Sequence, residues 1–329
     1  MSEFNSVFRD EIGLHLSLRQ SELSHEAYRH CRRTIVLFDE YLCKIGHADK
    51  VIPESVIEGW IKEVSMGISL NTSSQHVHNI RQLLMFLVNS GYRCFIPRTI
   101  IRHDIYVPYL YSDDDLKKIF DVADSMTAIK ARKNQYAAEE MPMILRLLYC
   151  CGLRVGETVN IKVGDLDFDR NLLVLRVTKK YKQRLVPFGQ ELSEMIHHYC
   201  IGLGISNFPD AYLFPAEDFD NHISTSSVGN YYRTIRELAG ISPCQPVKRG
   251  RGACLHCFRH SFAVRSFDKN ERNGIKAIES VPYLSTYLGH DGLYETEKYL
   301  KFSGNYFEDT LRRFDDYSGE LFPEVVIHE

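Results

Sequence analysis

The sequence predicts a mainly α-helical protein with a small β-hairpin or sheet, an α+β fold divided into two domains. Apolar residues recur at helical spacing along most of the chain. The segment 166–188 instead alternates apolar and polar residues around a basic turn, as a hairpin does. A length of 329 residues is enough for about two domains of ordinary size.

The boundary between the two domains is expected at 96–108, where prolines stand near both ends of a segment without a helical stripe. This segment is interpreted as a linker. Five segments are expected in all: an N-terminal extension (1–20), a helical domain (21–95), the linker (96–108), a second domain (109–317) and a C-terminal tail (318–329).

The first domain is predicted to be small and all-helical. Apolar residues line one face of an amphipathic helix over 21–42 and of another over 73–90. Gly91 stands where the second helix would end. A short third helix is expected after Pro53.

The second domain is predicted to open with a helix, because Ser112 and Asp115 have the spacing of a capping box. A long apolar helix follows and should end near Gly152. The hairpin comes next, and the helical pattern resumes after Pro187, with loops near 203–224 and 242–253.

The distribution of charge indicates a phosphate-binding surface, although the net charge is only −3. Segment 176–184 carries five basic residues and no acid, and segment 245–276 carries eight Lys or Arg against two acids. A local basic field of this kind suits a nucleic-acid backbone. Ordinary solvated faces explain the charges equally well.

Other bulk features indicate a cytoplasmic protein. The sequence has no signal-peptide pattern and no apolar run near the roughly 20 residues that a membrane span needs. Nine cysteines in such a chain suggest reduced thiols. The pair Cys254 and Cys257, with His256 between them, is weak support for a zinc site.

Five short stretches carry the chemistry, and each alone has an ordinary structural explanation. They are CGLRVGETVNI (151–161), VTKKYKQRLVPF (177–188), CLHCFRHSF (254–262), LGH (288–290) and ETEKYL (295–300). Together, in this order, they resemble the tyrosine recombinase family, also called phage integrases. The resemblance covers about 108–305 and implies a DNA-clamping N-terminal domain before a catalytic domain.

The resemblance implies a site-specific DNA recombinase, of the integrase or excisionase type of a mobile element. Such an enzyme cuts and rejoins DNA through a 3′-phosphotyrosine. The nucleophile would be Tyr299, nine residues after His290, rather than Tyr294. Thr296 also matches the family pattern. Alternatives are a chromosome-dimer resolvase or a topoisomerase-like relaxer with the same chemistry, a non-catalytic DNA-binding accessory protein, and a zinc protein.

The other catalytic roles are also implied by the resemblance. Arg154 and Arg259 would bind the phosphate, and His256 would act as base. Lys179 would protonate the leaving 5′-oxygen, and His290 would steady the transition state. Glu157 would orient the basic groups.

Some features depart from the family pattern. Lys180 and Lys182 are rivals of Lys179 for the acid role, Phe258 stands where leucine is usual, and 269–276 looks like an insertion. The expected DNA contacts are Lys180, Lys182, Arg184, Lys248, Arg249 and Arg251.

The expected partners are double-stranded DNA and further copies of the chain, with a tetramer in the synapse. Sister recombinases or DNA-bending proteins are further candidates. The tail is expected to dock either on a neighbouring copy or on its own domain. No cofactor, metal or membrane is expected.

Overall fold

The computed structural model describes residues 4–98, 108–125, 136–176, 183–217, 220–243 and 252–302. The chain divides into two compact units, Met1–Ile105 and Tyr106–Glu329. Most of the expected linker and the whole expected C-terminal tail lie outside the described residues. Among the residues described, no helix is both long enough and apolar enough to cross a membrane.

Within residues 4–98 the N-terminal unit has four helices and two very short strands. The helices are α1 (Arg9–Glu22), α2 (His25–Lys44), α3 (Glu54–Val64) and α4 (Leu70–Asn89). The strands β1 (Val51–Ile52) and β2 (Arg93–Cys94) pair in parallel. Ser24 and Ser69 cap α2 and α4 by accepting a backbone N–H three residues later.

The three predicted helices of this unit are present, but α1 and the strand pair were not predicted. Residues 1–20 were assigned to an extension, whereas Phe8, Ile12 and Leu16 lie in the core of the unit. The periodicity is blurred because His15 faces inward while Leu14 and Leu18 face solvent. The expectation of an all-helical unit is therefore wrong, because the unit also contains the short strand pair β1–β2.

The described part of the second unit begins with three helices and a small sheet. Helix α5 (Asp113–Asp124) carries the predicted capping box, with Ser112 Oγ 3.1 Å from the Asp115 N–H. Helix α6 (Ala137–Cys151) ends at Gly152, as predicted. Helix α7 (Val155–Val159) follows, and then the antiparallel strands β3 (Leu166–Asp167), β4 (Leu172–Leu175) and β5 (Arg184–Pro187).

Strands β4 and β5 form the predicted hairpin, in the register that pairs Leu173 with Val186. Both of these side chains are fully buried. Strand β3 adds a third strand that was not predicted. The basic turn of the hairpin, 177–182, lies outside the described residues.

The described residues after β5 contain five α-helices. They are α8 (Gln190–Gly202), α9 (Thr225–Leu238), α10 (His256–Arg272), α11 (Ala277–Leu288) and the short α12 (Tyr294–Glu297). The segment 269–276, expected as an insertion, forms the last turn of α10 and the turn into α11, where Gly274 has a φ of 82°.

Helix α6 is the centre of this unit and is buried on opposite faces, because Met141 and Leu148 lie on one side of it and Met143 and Leu147 on the other. It packs against α5, α8, α9 and α10. A second apolar cluster joins α10 to α11 and includes Tyr299 and Leu300. The end of α6, the start of α10 and the end of α11 therefore come together.

Replacement of Phe38 by alanine should lower the free energy of unfolding of the N-terminal unit by about 3–5 kcal/mol, because it leaves a cavity in the core. Phe38 is fully buried and meets Trp60 edge-on, with ring centroids 5.4 Å apart. Trp60 is the only tryptophan of the chain, so its fluorescence during urea unfolding reports on this unit. Met66→Ala, at a side chain 69% exposed, is the control. Equal midpoints for the two variants would contradict the prediction.

Candidate active site

Glu157 holds two arginines at one end of the site. Its Oε1 accepts hydrogen bonds from Arg154 Nη1 at 2.8 Å and from Arg184 Nη1 at 2.9 Å. Its Oε2 accepts from Arg184 Nη2 at 2.8 Å and from the backbone N–H of Arg154 at 2.9 Å. The carboxylate thus fixes both guanidiniums and the start of α7.

The charge of Glu157 is maintained by these contacts. Burial acts to raise the pKa of its carboxyl, but the hydrogen bonds and charges of Arg184 and Arg154 outweigh burial and hold the pKa at about 2. Glu157 is therefore an anion at any pH near neutrality. Two guanidiniums that would otherwise repel each other can share one buried counter-ion.

Arg259 lies on the first turn of α10 with only 1% of its surface exposed. Its Nη1 donates to the carbonyl of Gly152 and its Nη2 to the carbonyl of Leu288, both at 2.7 Å. Burial lowers the pKa of Arg259 to about 10, and the positive charge of Arg154 adds to this effect. The guanidinium still keeps its proton at neutral pH.

Two glycines allow the chain to turn back toward Arg259. Gly152 ends α6 with a φ of 59°, and Gly289 ends α11 with a φ of 66°. A side chain at Gly152 would lie 2.5 Å from the Phe262 ring, and one at Gly289 would lie 2.9 Å from Arg184 Nη1. Glycine is therefore required at both positions for conformation and for space.

His290 follows Gly289 and is fixed by its neighbours. Its Nδ1 lies 2.6 Å from Oγ1 of Thr296, a side chain that is fully buried. Burial and the charges of Arg259 and Arg154 lower the pKa of His290 to about 3. Because Nδ1 of this neutral imidazole contacts Thr296, Nε2 is the ring nitrogen that can face a substrate.

Tyr299 lies among these groups, and Tyr294 does not. Tyr299 is 7% exposed, its hydroxyl is 3.1 Å from Nδ1 of His260, and its ring stacks on His290 with centroids 6.2 Å apart. Tyr294 is 66% exposed, and the Lys298 ammonium lies 4.6 Å from its ring centroid. Tyr294 is thus outside the cluster that the two arginines define.

The hydroxyl of Tyr299 experiences opposing effects. Burial raises its pKa above the ordinary value, whereas the charges of Arg259 and Arg154 and a hydrogen bond from Arg259 act to lower it. The pKa remains raised overall. Tyr299 is therefore a neutral phenol in the free protein, and removal of its proton needs an acceptor.

The sequence pattern did not single out His260. His256, the expected base, is the first residue of α10, and its ring meets the ring of His260 edge-on at 4.5 Å. Helical spacing of four residues puts both rings on one face of α10. The two histidines of the HxxRH motif, four residues apart, could therefore have indicated from the sequence that His260 also faces the site.

The remaining expected site residues fall into two groups. Arg184, expected at DNA, is 11% exposed and has both terminal nitrogens on Glu157. The other residues lie outside the described part of the chain: Lys179, Lys180, Lys182, Lys248, Arg249 and Arg251. Within the described part, no group of three or more His, Cys, Asp or Glu side chains could hold a metal ion.

Comparison with known proteins identifies the family of the chain. The model of the phage integrase family matches residues 111–303, and the chain belongs to this family. The tyrosine recombinase XerC of Chlorobaculum tepidum is 26% identical over 299 residues, which is 85% of each chain. A tyrosine recombinase of Pseudothermotoga lettingae is 32% identical over 158 residues, 48% of each chain.

Coverage of the relatives is partial in several cases. The alignments span 66%, 48% and 61% of the length of a Sinorhizobium fredii protein, the P. lettingae recombinase and XerA of Pyrococcus horikoshii. The chain therefore spans about half to two thirds of the length of these relatives, and its membership of the family rests on the match to the family model.

Solved structures share the fold at low sequence identity. The XerH recombinase bound to difH has a TM-score of 0.69 at 15% identity, covering 94% of this chain and 97% of the other. The λ integrase tetramer bound to a Holliday junction has a TM-score of 0.64 at 14% identity, covering 87% and 77%. The predicted fold class is confirmed.

The variant Gly289→Ala should lose more stability than the strain of an alanine in the left-handed region accounts for. An alanine at such a φ costs about 1–2 kcal/mol, and here the new methyl group would also displace Arg184 from Glu157. Gly240→Ala is a matched control, because Gly240 has a φ of 69° but no heavy atom within 4 Å of the added carbon. Urea midpoints should fall further for Gly289→Ala than for Gly240→Ala.

The variant Glu157→Gln should lose about 3–5 kcal/mol of stability at neutral pH, because the largely buried guanidinium of Arg184 and the partly buried guanidinium of Arg154 lose their shared counter-ion. The folded pKa of about 2 is below the ordinary 4.5, so the wild-type advantage is complete above pH 4.5 and fades as pH falls toward 2. Urea unfolding followed by circular dichroism at several pH values measures this difference. Glu191→Gln, at an exposed position of α8, is the control. A difference that does not depend on pH would contradict the prediction.

Proposed function

We propose that the protein is a site-specific DNA recombinase that cuts and rejoins DNA through a 3′-phosphotyrosine at Tyr299. The observation that carries this proposal is the position of Tyr299, which is buried, is acted on by the charges of Arg259 and Arg154, and stacks its ring on His290. Membership of the phage integrase family supports the same conclusion.

The electrostatics of the site suit a phosphodiester. The substrate is an anion, and its pentacoordinate transition state gathers further negative charge on the non-bridging oxygens. Arg154 and Arg259 provide two permanent positive charges with several N–H donors each. Fixed cations in a partly closed site stabilise such a transition state because they need little reorganisation.

The reaction forms one bond to phosphorus and breaks another. The oxygen of Tyr299 attacks phosphorus, the bond from phosphorus to the 5′-oxygen breaks, and the 5′-oxygen takes up a proton. The family resemblance assigns that proton to Lys179, with Lys180 and Lys182 as rivals. Because the phosphotyrosine keeps the energy of the broken diester, attack by a 5′-hydroxyl reverses the step without ATP.

Three further residues have roles in the proposed step. His290 would donate an N–H from its Nε2 edge to a non-bridging oxygen, with Thr296 fixing the orientation of the ring. Glu157 is a positioning residue, because it contacts Arg154 and Arg184. The resemblance assigns removal of the phenolic proton to His256.

The proposed partners are double-stranded DNA and further copies of the chain. Exchange of four strands between two duplexes requires four nucleophiles, which predicts a tetramer in the synapse. The solved λ integrase structure that shares the fold is a tetramer bound to a Holliday junction, which supports this assembly. The basic segments 176–184 and 245–276 supply phosphate-binding charge.

For the biological role we propose integration or excision of a mobile element. The second candidate is a resolvase of the Xer type, acting on a fixed chromosomal site. Similarity to XerC of C. tepidum over 85% of both chains favours this second role. The two roles share all of the chemistry above and differ in the target DNA.

Nicked duplexes that trap cleavage should form an SDS-resistant adduct with the wild-type protein and none with Tyr299→Phe. The duplexes are taken from the borders of the element or operon that carries the gene. Tyr294→Phe is the matched control, because it removes a hydroxyl that is five residues away and exposed to solvent. It should leave the adduct in place.

Each other outcome has a distinct meaning. An adduct that survives in Tyr299→Phe and vanishes in Tyr294→Phe would move the nucleophile to Tyr294. Specific binding of the DNA without an adduct in any variant would favour an accessory DNA-binding protein. Cleavage at element borders or at a chromosomal site distinguishes the two biological roles.

A further inference from the structure

Two cysteine thiols face each other where α10 begins. The Sγ atoms of Cys254 and Cys257 are 3.4 Å apart, whereas the sulfurs of a disulfide are about 2.0 Å apart. His256 lies between the two cysteines in the sequence, and Arg259 follows two residues after the second. A small approach of the two sulfurs would therefore form a covalent bond beside two residues of the candidate active site.

The local backbone explains why the two sulfurs are close. The N–H of Cys257 donates to the carbonyl of Cys254 at 2.9 Å, which closes a turn at the start of the helix. The Cys257 thiol also lies 3.8 Å from the carbonyl oxygen of Gly252. Cys257 is fully buried, whereas Cys254 is partly exposed. A small molecule in solvent therefore reaches Cys254 first.

The proposed cleavage reaction does not use these two thiols. Within the part of the chain that the structure describes, no group of three or more His, Cys, Asp or Glu side chains could hold a metal ion. The chemistry that two adjacent thiols can perform by themselves is oxidation to a disulfide.

The two thiols differ in reactivity. The hydrogen bond with Cys254 and burial both raise the pKa of Cys257, so its sulfur keeps its proton near neutral pH. Cys254 is more exposed and stands just before α10, where the backbone N–H groups of the first turn favour a negative charge. Cys254 is therefore the thiol that reacts first with an oxidant, and Cys257 is placed to complete the disulfide.

The turn that carries Cys254 is attached to other parts of the unit. The Tyr111 hydroxyl donates to the carbonyl of Cys254 at 2.9 Å. Arg236 Nη1, on α9, donates to the carbonyl of Ala253 at 3.2 Å. These two hydrogen bonds fix the turn in the position that leaves the sulfurs 3.4 Å apart.

Disulfide formation would displace this turn. The sulfurs would have to approach by about 1.4 Å, the difference between 3.4 Å and about 2.0 Å. Cys257 is held in the core within α10, and Arg259 on the same helix donates to two carbonyls. The movement therefore falls mainly on the turn of Cys254 and on His256, whose ring centroid lies 4.5 Å from that of His260. A displacement of about 1 Å near a reacting group costs up to about 100-fold in rate.

We propose that Cys254 and Cys257 form a reversible disulfide that slows DNA cleavage, with a small-molecule disulfide such as oxidised glutathione as the oxidant. The thiolate of Cys254 attacks one sulfur of the oxidant, and the first small thiol leaves. The sulfur of Cys257 then attacks Cys254, and the second small thiol leaves. The two cysteines lose two electrons and two protons, which convert one oxidant molecule into two thiols. The effect on cleavage rests on the proposed function, whereas formation of the disulfide does not.

The bond itself is detected by peptide mapping of the wild-type chain. The protein is equilibrated in buffers that contain reduced and oxidised glutathione in different ratios, and the remaining thiols are then alkylated. Trypsin cleaves after Arg251 and Arg259, so a single peptide, 252–259, contains both cysteines. In oxidising buffer this peptide should be unalkylated and lighter by two hydrogen atoms than the thiol form. In reducing buffer it should carry two alkyl groups.

The consequence is measured as single-turnover formation of the covalent adduct on the nicked duplexes described above. Oxidised wild type should react about 10–100-fold more slowly than reduced wild type, and dithiothreitol should restore the rate. Cys254→Ser should react at the reduced wild-type rate in both buffers, because its side chain cannot form the bond. Cys43→Ser, at an exposed cysteine of the N-terminal unit, is the control and should behave as wild type does.

Several results would overturn the inference. A peptide that stays alkylated in every buffer, or a bridge from either cysteine to another part of the chain, would exclude the disulfide. A disulfide that leaves the rate of cleavage unchanged would exclude the effect on the site. Equal losses of rate on oxidation of Cys254→Ser and of wild type would place the effect at other thiols.

Failure of the proposed function is a separate result. If reduced wild type forms no adduct, or Tyr299→Phe keeps it, the mechanism at Tyr299 fails and the effect on cleavage falls with it. Peptide mapping still decides whether the disulfide forms. Because mapping uses the wild-type protein, it does not depend on the folding of any variant.

Discussion

A guanidinium that is almost fully buried needs acceptors for its donors, and Arg259 finds two of them in the main chain. These are the carbonyls of Gly152 and Leu288, at the ends of α6 and α11, where a helix leaves its last carbonyls without intrahelical partners. Both helices end at a left-handed glycine, so the chain turns back at once. Arg154 and His290 each follow within two residues. One buried side chain thus ties together two motifs that lie far apart in the sequence.

The same cluster shows how a positive site can exist in the interior of a unit. Arg154, Arg184 and Arg259 are balanced within the described residues by the carboxylate of Glu157 and by backbone carbonyls. Burial together with this field keeps His260 and His290 uncharged, with pKa values of about 3. The three arginines outnumber the single carboxylate, so the site keeps a net positive charge that a bound phosphate can neutralise. The same arginines therefore stabilise the site through Glu157 and attract an anion.

Sequence reasoning was most successful where the rules are local. The capping box at Ser112, the end of α6 at Gly152 and the three amphipathic helices of the first unit depend on residues within a few positions of each other. Helix α1 was missed because its apolar residues occupy two faces. The parallel pair β1–β2 and the contact of Arg184 with Glu157, 27 residues apart, depend on the folded chain. Family resemblance named Tyr299, but only coordinates show which histidine of HxxRH meets its hydroxyl.

The small exposure of Tyr299 also bears on how long a covalent intermediate could survive. A phosphotyrosine formed at a side chain only 7% exposed would be reached by few water molecules. Hydrolysis would leave a permanent strand break, so exclusion of water protects the DNA while the ends are apart. The acceptor best able to reach the phosphorus is then a hydroxyl delivered by the DNA itself. Burial of the tyrosine would in this way make rejoining, and not hydrolysis to a broken strand, the ordinary fate of the adduct.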